Sequence, residues 1–309
     1  MRSRSYLTLL LQVLVLMASG LLPATTRPDL GQKTATDKSK AAFHIEVQDQ
    51  YGTPVSDSEA TTESSHADSA SLVLHRAYQP GDRILISGLQ EMAVRVDQSL
   101  HECMIYAPNL APFTYQIPYG RAEQETGSAY APDAFSGDTH RVTLRALTDR
   151  ERHGYRNLAL NPCDQPRPGS AIFPHATSNS VARNLFDFEA RNAIDGATRN
   201  GHHGVWPYQS WGPELRSDAW WRVDFGRPVT VDKIRLMLRA DFPHDSTWKS
   251  AGVEFSDGSR LTIQLRPTAE FQEFTFPARR ATWLRLTNLV STDPAKWCAL
   301  IELEAWGRE

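Results

Sequence analysis

Short apolar runs broken by glycine, proline, aspartate and serine recur along most of the chain, and no long stretch repeats at the spacing of an amphipathic helix. In the C-terminal half the runs at 220–225, 234–238, 253–255, 261–265, 271–276, 284–286 and 300–306 predict closely spaced strands, a density that suits a β-sandwich. The sharpest local signal is the hairpin Phe255-Ser256-Asp257-Gly258-Ser259, because Asp-Gly supplies the positive backbone angle of a tight turn. The N-terminal half gives a weaker set at 43–47, 72–74, 84–86, 93–96, 104–106 and 142–146. The pattern therefore predicts an all-β protein of two β-sandwich domains.

Polar stretches and an aromatic shift divide the chain. Arg2 and Arg4 precede an apolar run at 7–18 followed by small residues, so 1–24 read as a secretory signal peptide. An uncleaved anchor is the competing reading, but the apolar run is shorter than the ~20 residues a membrane span needs. Residues 25–41 carry little that can be buried and read as a linker, and 56–71, rich in Ser, Thr, Asp and Glu, read as a long surface loop inside the first domain or, equally, as a disordered excursion. All eight Trp lie at or beyond Trp206, whereas most Tyr lie between Tyr51 and Tyr155. The predicted division is an N-terminal domain of unknown type at 42–153 and a second domain at 154–309.

Composition narrows the partners. The chain has 309 residues, 33 basic and 36 acidic side chains and a formal charge of -3, with no basic run. Nucleic acid and anionic membranes are not the partners such a surface attracts, and membrane insertion after signal cleavage is not expected. Three cysteines in an exported chain allow one disulfide and leave an odd thiol, and counting does not choose among the pairings.

Catalytic signatures are largely missing: there is no phosphate-cradling glycine loop, no His-Glu-x-x-His, no Gly-x-Ser-x-Gly and no Cys-x-x-Cys. Asp241 and Asp245 have the look of a glycosidase carboxylate pair, though acidic pairs are common in loops. His202 and His203 suggest a metal pair, with a solvated turn as the plainer account. Two loops combine aromatic and charged side chains: 202–211, with Trp206, Tyr208 and Trp211, and 239–248, with Arg239, Asp241, His244, Asp245 and Trp248. Trp211, Trp220 and Trp306 are expected in the core, while Trp206 and Trp248 suit either core or ligand stacking. For Arg239, Asp241 and His244 the alternative to binding is a structural Arg–Asp pair bracing the loop.

Several segments, in order, resemble the discoidin family, which includes the C-type domains of coagulation factors and bacterial carbohydrate-binding modules of the galactose-binding-like fold. They are Asn157-Leu158-Ala159, Ala176-Thr177-Ser178-Asn179, Ala193-Ile194-Asp195-Gly196, Ala219-Trp220-Trp221-Arg222-Val223-Asp224-Phe225-Gly226, Val231-Asp232-Lys233-Ile234, Val253-Glu254-Phe255-Ser256-Asp257-Gly258-Ser259 and Ile301-Glu302-Leu303-Glu304-Ala305-Trp306-Gly307. The resemblance spans about 157–307 and implies a jelly-roll sandwich for the second domain. It also implies a structural Ca²⁺, held by the side chains of Asp195 and Glu302 and the backbone oxygens of Asn192, Ala197, Asn200 and Ile301. Asn200 departs from the Ser or Thr usual near its position, and a calcium-free Asx turn at Asp195 is the alternative. The resemblance further implies a disulfide between Cys163 and Cys298 at the domain's two ends, which leaves Cys103 as a buried thiol.

The function so implied is that of a secreted, non-catalytic glycan-binding protein, its ligand held by Trp206, Arg239, Asp241, His244, Asp245 and Trp248. A secreted polysaccharide-acting enzyme, with chemistry in the N-terminal domain or the cleft between domains, is the alternative. A protein-binding adhesion module is the second alternative.

Overall fold

The computed structural model describes residues 43–56, 58–61, 68–166, 172–242 and 244–309. The export segment and linker expected at 1–41 lie outside the described residues. In chain order the N-terminal strands are β1 (His44–Gln48), β2 (Ser58–Thr61), β3 (Ser69–Leu74), β4 (Arg83–Ser87), β5 (Glu91–Arg95), β6 (Cys103–Tyr106), β7 (Phe113–Gln116) and β8 (His140–Ala146). They form an antiparallel sheet of order β1-β4-β7 and another of order β2-β3-β8-β5-β6. Alternation buries Ile45, Val47, Ile84, Ile86 and Tyr115 from the first sheet and Leu72, Leu74, Val94, Ile105, Val142 and Leu144 from the second. These residues share one apolar cluster, so the two sheets pack face to face as a sandwich.

The polar stretch read as a loop at 56–71 contains β2, paired with β3 from Ser58 opposite Leu74 to Thr61 opposite Ser71. An edge strand needs only backbone pairing, which a hydrophobic pattern does not report.

Helix α1 (Asp149–His153) opens with a reciprocal capping box between Thr148 and Glu151, and the short β9 (Arg156–Asn157) follows it. The C-terminal strands are β10 (His175–Ser178), β11 (Trp221–Leu238), β12 (Trp248–Phe255), β13 (Arg260–Gln264), β14 (Gln272–Ser291) and β15 (Leu300–Arg308). They pair in the order β13-β12-β14-β11-β15-β9, with β10 added on β11. Sequence patterning splits β11 and β14 into two strands each. A straight 18-residue strand would run about 60 Å at roughly 3.3 Å per residue, more than a domain of this size spans. Register shifts at Asp224/Val229 and Val231/Lys233 bend the pair, and the Gly and Pro read as strand breaks lie at these bulges. Gly226 is required at the first: its φ is +71°, and a Cβ there would meet the Phe173 ring at 2.4 Å.

Trp211, Trp221, Phe225, Phe255 and Leu300 fill the core of this second sandwich. Trp211 lies in it as expected. Trp220 and Trp306 are only half-buried, and the inward indole is the neighbouring Trp221, which donates through Nε1 to the Ala190 carbonyl at 2.9 Å.

The cysteine pairing differs from the one the family resemblance implies. Cys163 bonds to Cys103, with Cα atoms 6.1 Å apart, and Cys298 is the buried free thiol. The reason is that Cys163 belongs to the core of the N-terminal sandwich, with Cys103, whereas Cys298 packs in the core of the C-terminal one. The described residues accordingly belong to one compact unit.

Candidate functional site

The loops that leave β11 and enter β15 meet the segments 181–188 and 201–212 at one end of the C-terminal sandwich. Here Ala182, Arg183, Phe188, His203, Gly212, Arg239, His244, Trp297 and Cys298 surround a cleft of about 240 Å³. Arg183 and Asn184 take positive φ values of 53° and 52°, which project the turn outward while Ala182, Leu185 and Phe188 pack beneath it with Trp297. Glu214 steadies the turn by accepting the Arg183 backbone N–H at 2.6 Å.

The predicted ligand residues separate into distinct roles. Arg239 and His244 line the cleft. Arg239 is buried against Asp245, Nε to Oδ2 2.6 Å, and that carboxylate also faces His244 Nδ1 at 3.1 Å. The buried Arg–Asp pair weighed for this loop thus exists, with Asp245 rather than Asp241 as its acid. Asp241 instead pairs with His203, Nδ1 to Oδ2 2.6 Å. The hydrogen bond from His203 holds the Asp241 carboxyl below the usual range. A glycosidic general acid needs the opposite shift.

Trp248 does not line this cleft. It is 4% exposed, its ring 5.7 Å from that of Trp211, because residue 248 opens β12 on its inward-facing side. Trp206 is 39% exposed but stands outside the cleft lining, and its backbone N–H donates to the Ser128 carbonyl of the N-terminal sandwich at 2.8 Å. Phe188, Trp297 and Arg183 went unrecognised in the sequence. Their one sequence signal is the pairing of Trp297 with Cys298 just before the strand predicted at 300–306, and it points equally to core.

The residues implied for Ca²⁺ lie near the inner part of the domain. Glu302 is buried, the Asp195 side chain is 6% exposed, and the Gly196 N–H donates to Glu302 Oε2 at 3.2 Å. Burial, and then the charge of Asp195, pushes the Glu302 carboxyl well above its usual range. Burial also raises Asp195, against the pull of Arg191, whose Nη1 is 3.9 Å away. Two carboxyls thus share one guanidinium, which leaves a net negative charge when both are ionised, a setting that attracts a cation. Ile301 lies in a bulge: Met237 pairs with Glu302 and Leu238 with Leu300, so Ile301 has no ladder partner on β11. The Asn192 side chain is committed to Phe186, Ser210 and Arg191, which leaves its backbone oxygen as its contribution. The Asn200 carbonyl already accepts the Ala240 N–H at 3.1 Å, so it fits the set less well.

Residues 175–303 match the F5/8 type C domain, and this part of the chain is a domain of that family, a discoidin-type β-sandwich. No curated protein matches the chain. Among solved structures it is similar to chitosan-binding module 1 from a chitosanase/glucanase of Paenibacillus sp. IK-5, at 25% identity over 49% of this chain and 98% of that one, with a TM-score of 0.36. It is also similar to the lectin binding domain of Lectinolysin, in a mutant complexed with Lewis b, at 21% identity over 51% of this chain and 99% of that one, TM-score 0.37. A Streptococcus pneumoniae fucose binding module, SpX-3, matches at 15% identity over 50% of this chain and 98% of that one, TM-score 0.36. The family match, rather than these overlaps, carries the assignment.

Proposed function

We propose that the chain is an exported, non-catalytic glycan-binding protein whose ligand enters the cleft at the loop end of the discoidin-type domain. The observation that carries the reading is the composition of that cleft: apolar walls from Phe188 and Trp297, and polar groups from Arg183, Arg239, His203 and His244. A pyranose ring offers a C–H face and a rim of hydroxyls, and these match an aromatic wall flanked by guanidinium and imidazole groups. At about 240 Å³ the cleft lies below the ~300–1,000 Å³ typical of larger ligands, which favours one terminal sugar residue over a length of polymer. Export is supported by the basic and apolar N-terminal pattern, and the Cys103–Cys163 bond suits an oxidising compartment.

Structural calcium belongs to the same proposal. Asp195 and Glu302, with backbone oxygens including that of Ile301, would hold the ion and offset the repulsion between the two carboxylates.

The test is a glycan array probed with the folded chain, run beside a reducing-end assay on the sugars that bind. Binding to glycans that share a terminal residue, without release of reducing ends, is the expected outcome. Release of reducing ends would favour the enzyme reading, and a flat array with specific capture of a protein would favour the adhesion module.

A further inference from the structure

His203, Asp241, His244 and Asp245 each turn one ligating atom inward, and all four atoms lie within 4.8 Å of one another. Two loops supply them, and backbone bonds hold those loops in register. The Ala240 N–H donates to the Asn200 carbonyl at 3.1 Å, tying the loops at their base, and the Asp245 N–H donates to the Asp241 carbonyl at 2.9 Å, closing a turn that gathers three donors. We propose that these four side chains form a binding site for a divalent transition-metal ion of the zinc type at the mouth of the cleft.

The donor set selects the metal class. Two imidazoles and two carboxylates suit zinc and its neighbours, whereas calcium and magnesium favour all-oxygen shells. Ligands about 2.0–2.1 Å from a tetrahedral ion stand roughly 3.3 Å from each other. The separations here bracket that value: 2.6 Å from His203 Nδ1 to Asp241 Oδ2, 3.1 Å from His244 Nδ1 to Asp245 Oδ1, and 4.0 Å from His244 Nδ1 to Asp241 Oδ2. Small side-chain rotations bring all of them into range. The same ring nitrogens that now face the carboxylates would bind the ion, so one dication replaces the protons shared across these pairs.

The surroundings favour occupancy. Arg239 grips the far oxygen of Asp245 and fixes that carboxylate, the part an outer partner plays around a bound metal. The His244 side chain is 58% exposed, which leaves a path for entry. His203 and His244 also line the cleft, so an ion between them would brace two of its walls. Its four donors are different side chains from Asp195 and Glu302, which offer only oxygen.

Calorimetric titration of ZnCl₂ into the EDTA-stripped full chain, with excess CaCl₂ present to occupy the oxygen site, tests the proposal without any sugar and so independently of the glycan reading. One zinc per chain is expected. His203→Ala and His244→Ala should each weaken binding by about tenfold or more, since loss even of an outer partner costs 10- to 100-fold. Co²⁺ should give the visible spectrum of a four-coordinate ion, and the same variants should lose it. Both side chains are partly exposed, so melting curves should show the variants folded, and the isosteric Asp241→Asn provides a further check. Absence of saturable zinc binding by the wild type, or binding that both His variants retain at wild-type strength, would overturn the proposal.

Discussion

His175 and Asp164 show how much one pair can set. Their Nδ1 and Oδ1 atoms are 2.7 Å apart in a buried position, and Asp164 Oδ2 also accepts the Ala176 N–H at 2.8 Å. Burial disfavours the imidazolium, but the hydrogen bond and charge of Asp164 outweigh it and raise the His175 pKa above its ordinary 6.5. A raised histidine stabilises the fold fully below its unfolded pKa and loses that contribution as pH rises through the folded value. His175→Gln should therefore flatten the fall in stability on going from about pH 5 to about pH 8, measured by urea unfolding at each pH. An unchanged pH profile would mean that the pair does not titrate in this range. At the same scale the sequence was legible in chemistry but not in direction. Arg239 and His244 were recognisable as cleft residues because charged and imidazole groups in a loop need partners or solvent. For Trp248 the sequence leaves core and ligand stacking both open, because nothing local tells an indole at a strand start from one at a loop end. Arg183 escaped notice because its positive φ is imposed by packing under the turn and carries no glycine signal.

Among the elements, β11 and β15 matter most for the site. The β15 bulge that leaves Ile301 without a β11 partner places Glu302 inward, where its carboxyl meets the loop of Asp195. Calcium should raise the melting temperature of the EDTA-treated chain, because an ion bound only by the native state stabilises it by mass action. Asp195→Asn and Glu302→Gln should each abolish that rise, and elemental analysis would show whether a tightly held ion survived EDTA. A wild type whose melting ignores both Ca²⁺ and EDTA, with no metal by analysis, would reduce Asp195 to the cap of a turn. Strand number was harder to read than strand existence. Bulges at Gly226 and near Pro277 carry the residues of turns, and only the pairing of β11 with β14 shows that the chain continues through them. Hairpin 255–259 was legible in full, since its turn chemistry is local: Gly258 takes φ +84° and the Phe255 N–H donates to Ser259 at 3.0 Å.

At the scale of the whole molecule the two sandwiches are joined by more than a linker. Cys163 and Ile172, beyond α1 in the chain, pack in the core of the N-terminal sandwich, and the Cys103–Cys163 bond fastens that return. Arg227 contacts both Glu91 and Glu309, with Arg156 on the same Glu309 carboxylate, so charges from both sandwiches form one cluster. This connection was invisible in the sequence, where cysteine positions were read from domain ends rather than from core membership. Alkylation of the unreduced, denatured chain followed by peptide mapping should label Cys298 alone. Label on Cys103 or Cys163 would contradict the pairing. In the chain-entropy model, closing a loop of 60 residues contributes about 4 kcal/mol, so reduction should lower the melting temperature markedly.

If the loop-end cleft holds the glycan, Trp297 is the side chain to remove, because its ring walls the cleft without belonging to the main core. Calorimetric titration of the best array ligand against the wild type and Trp297→Ala, at matched folding by thermal melt, is the measurement. A loss of about tenfold to a hundredfold in affinity is expected, the range of a central aromatic contact. Equal affinity in the two proteins would contradict it and move the binding site elsewhere on the molecule.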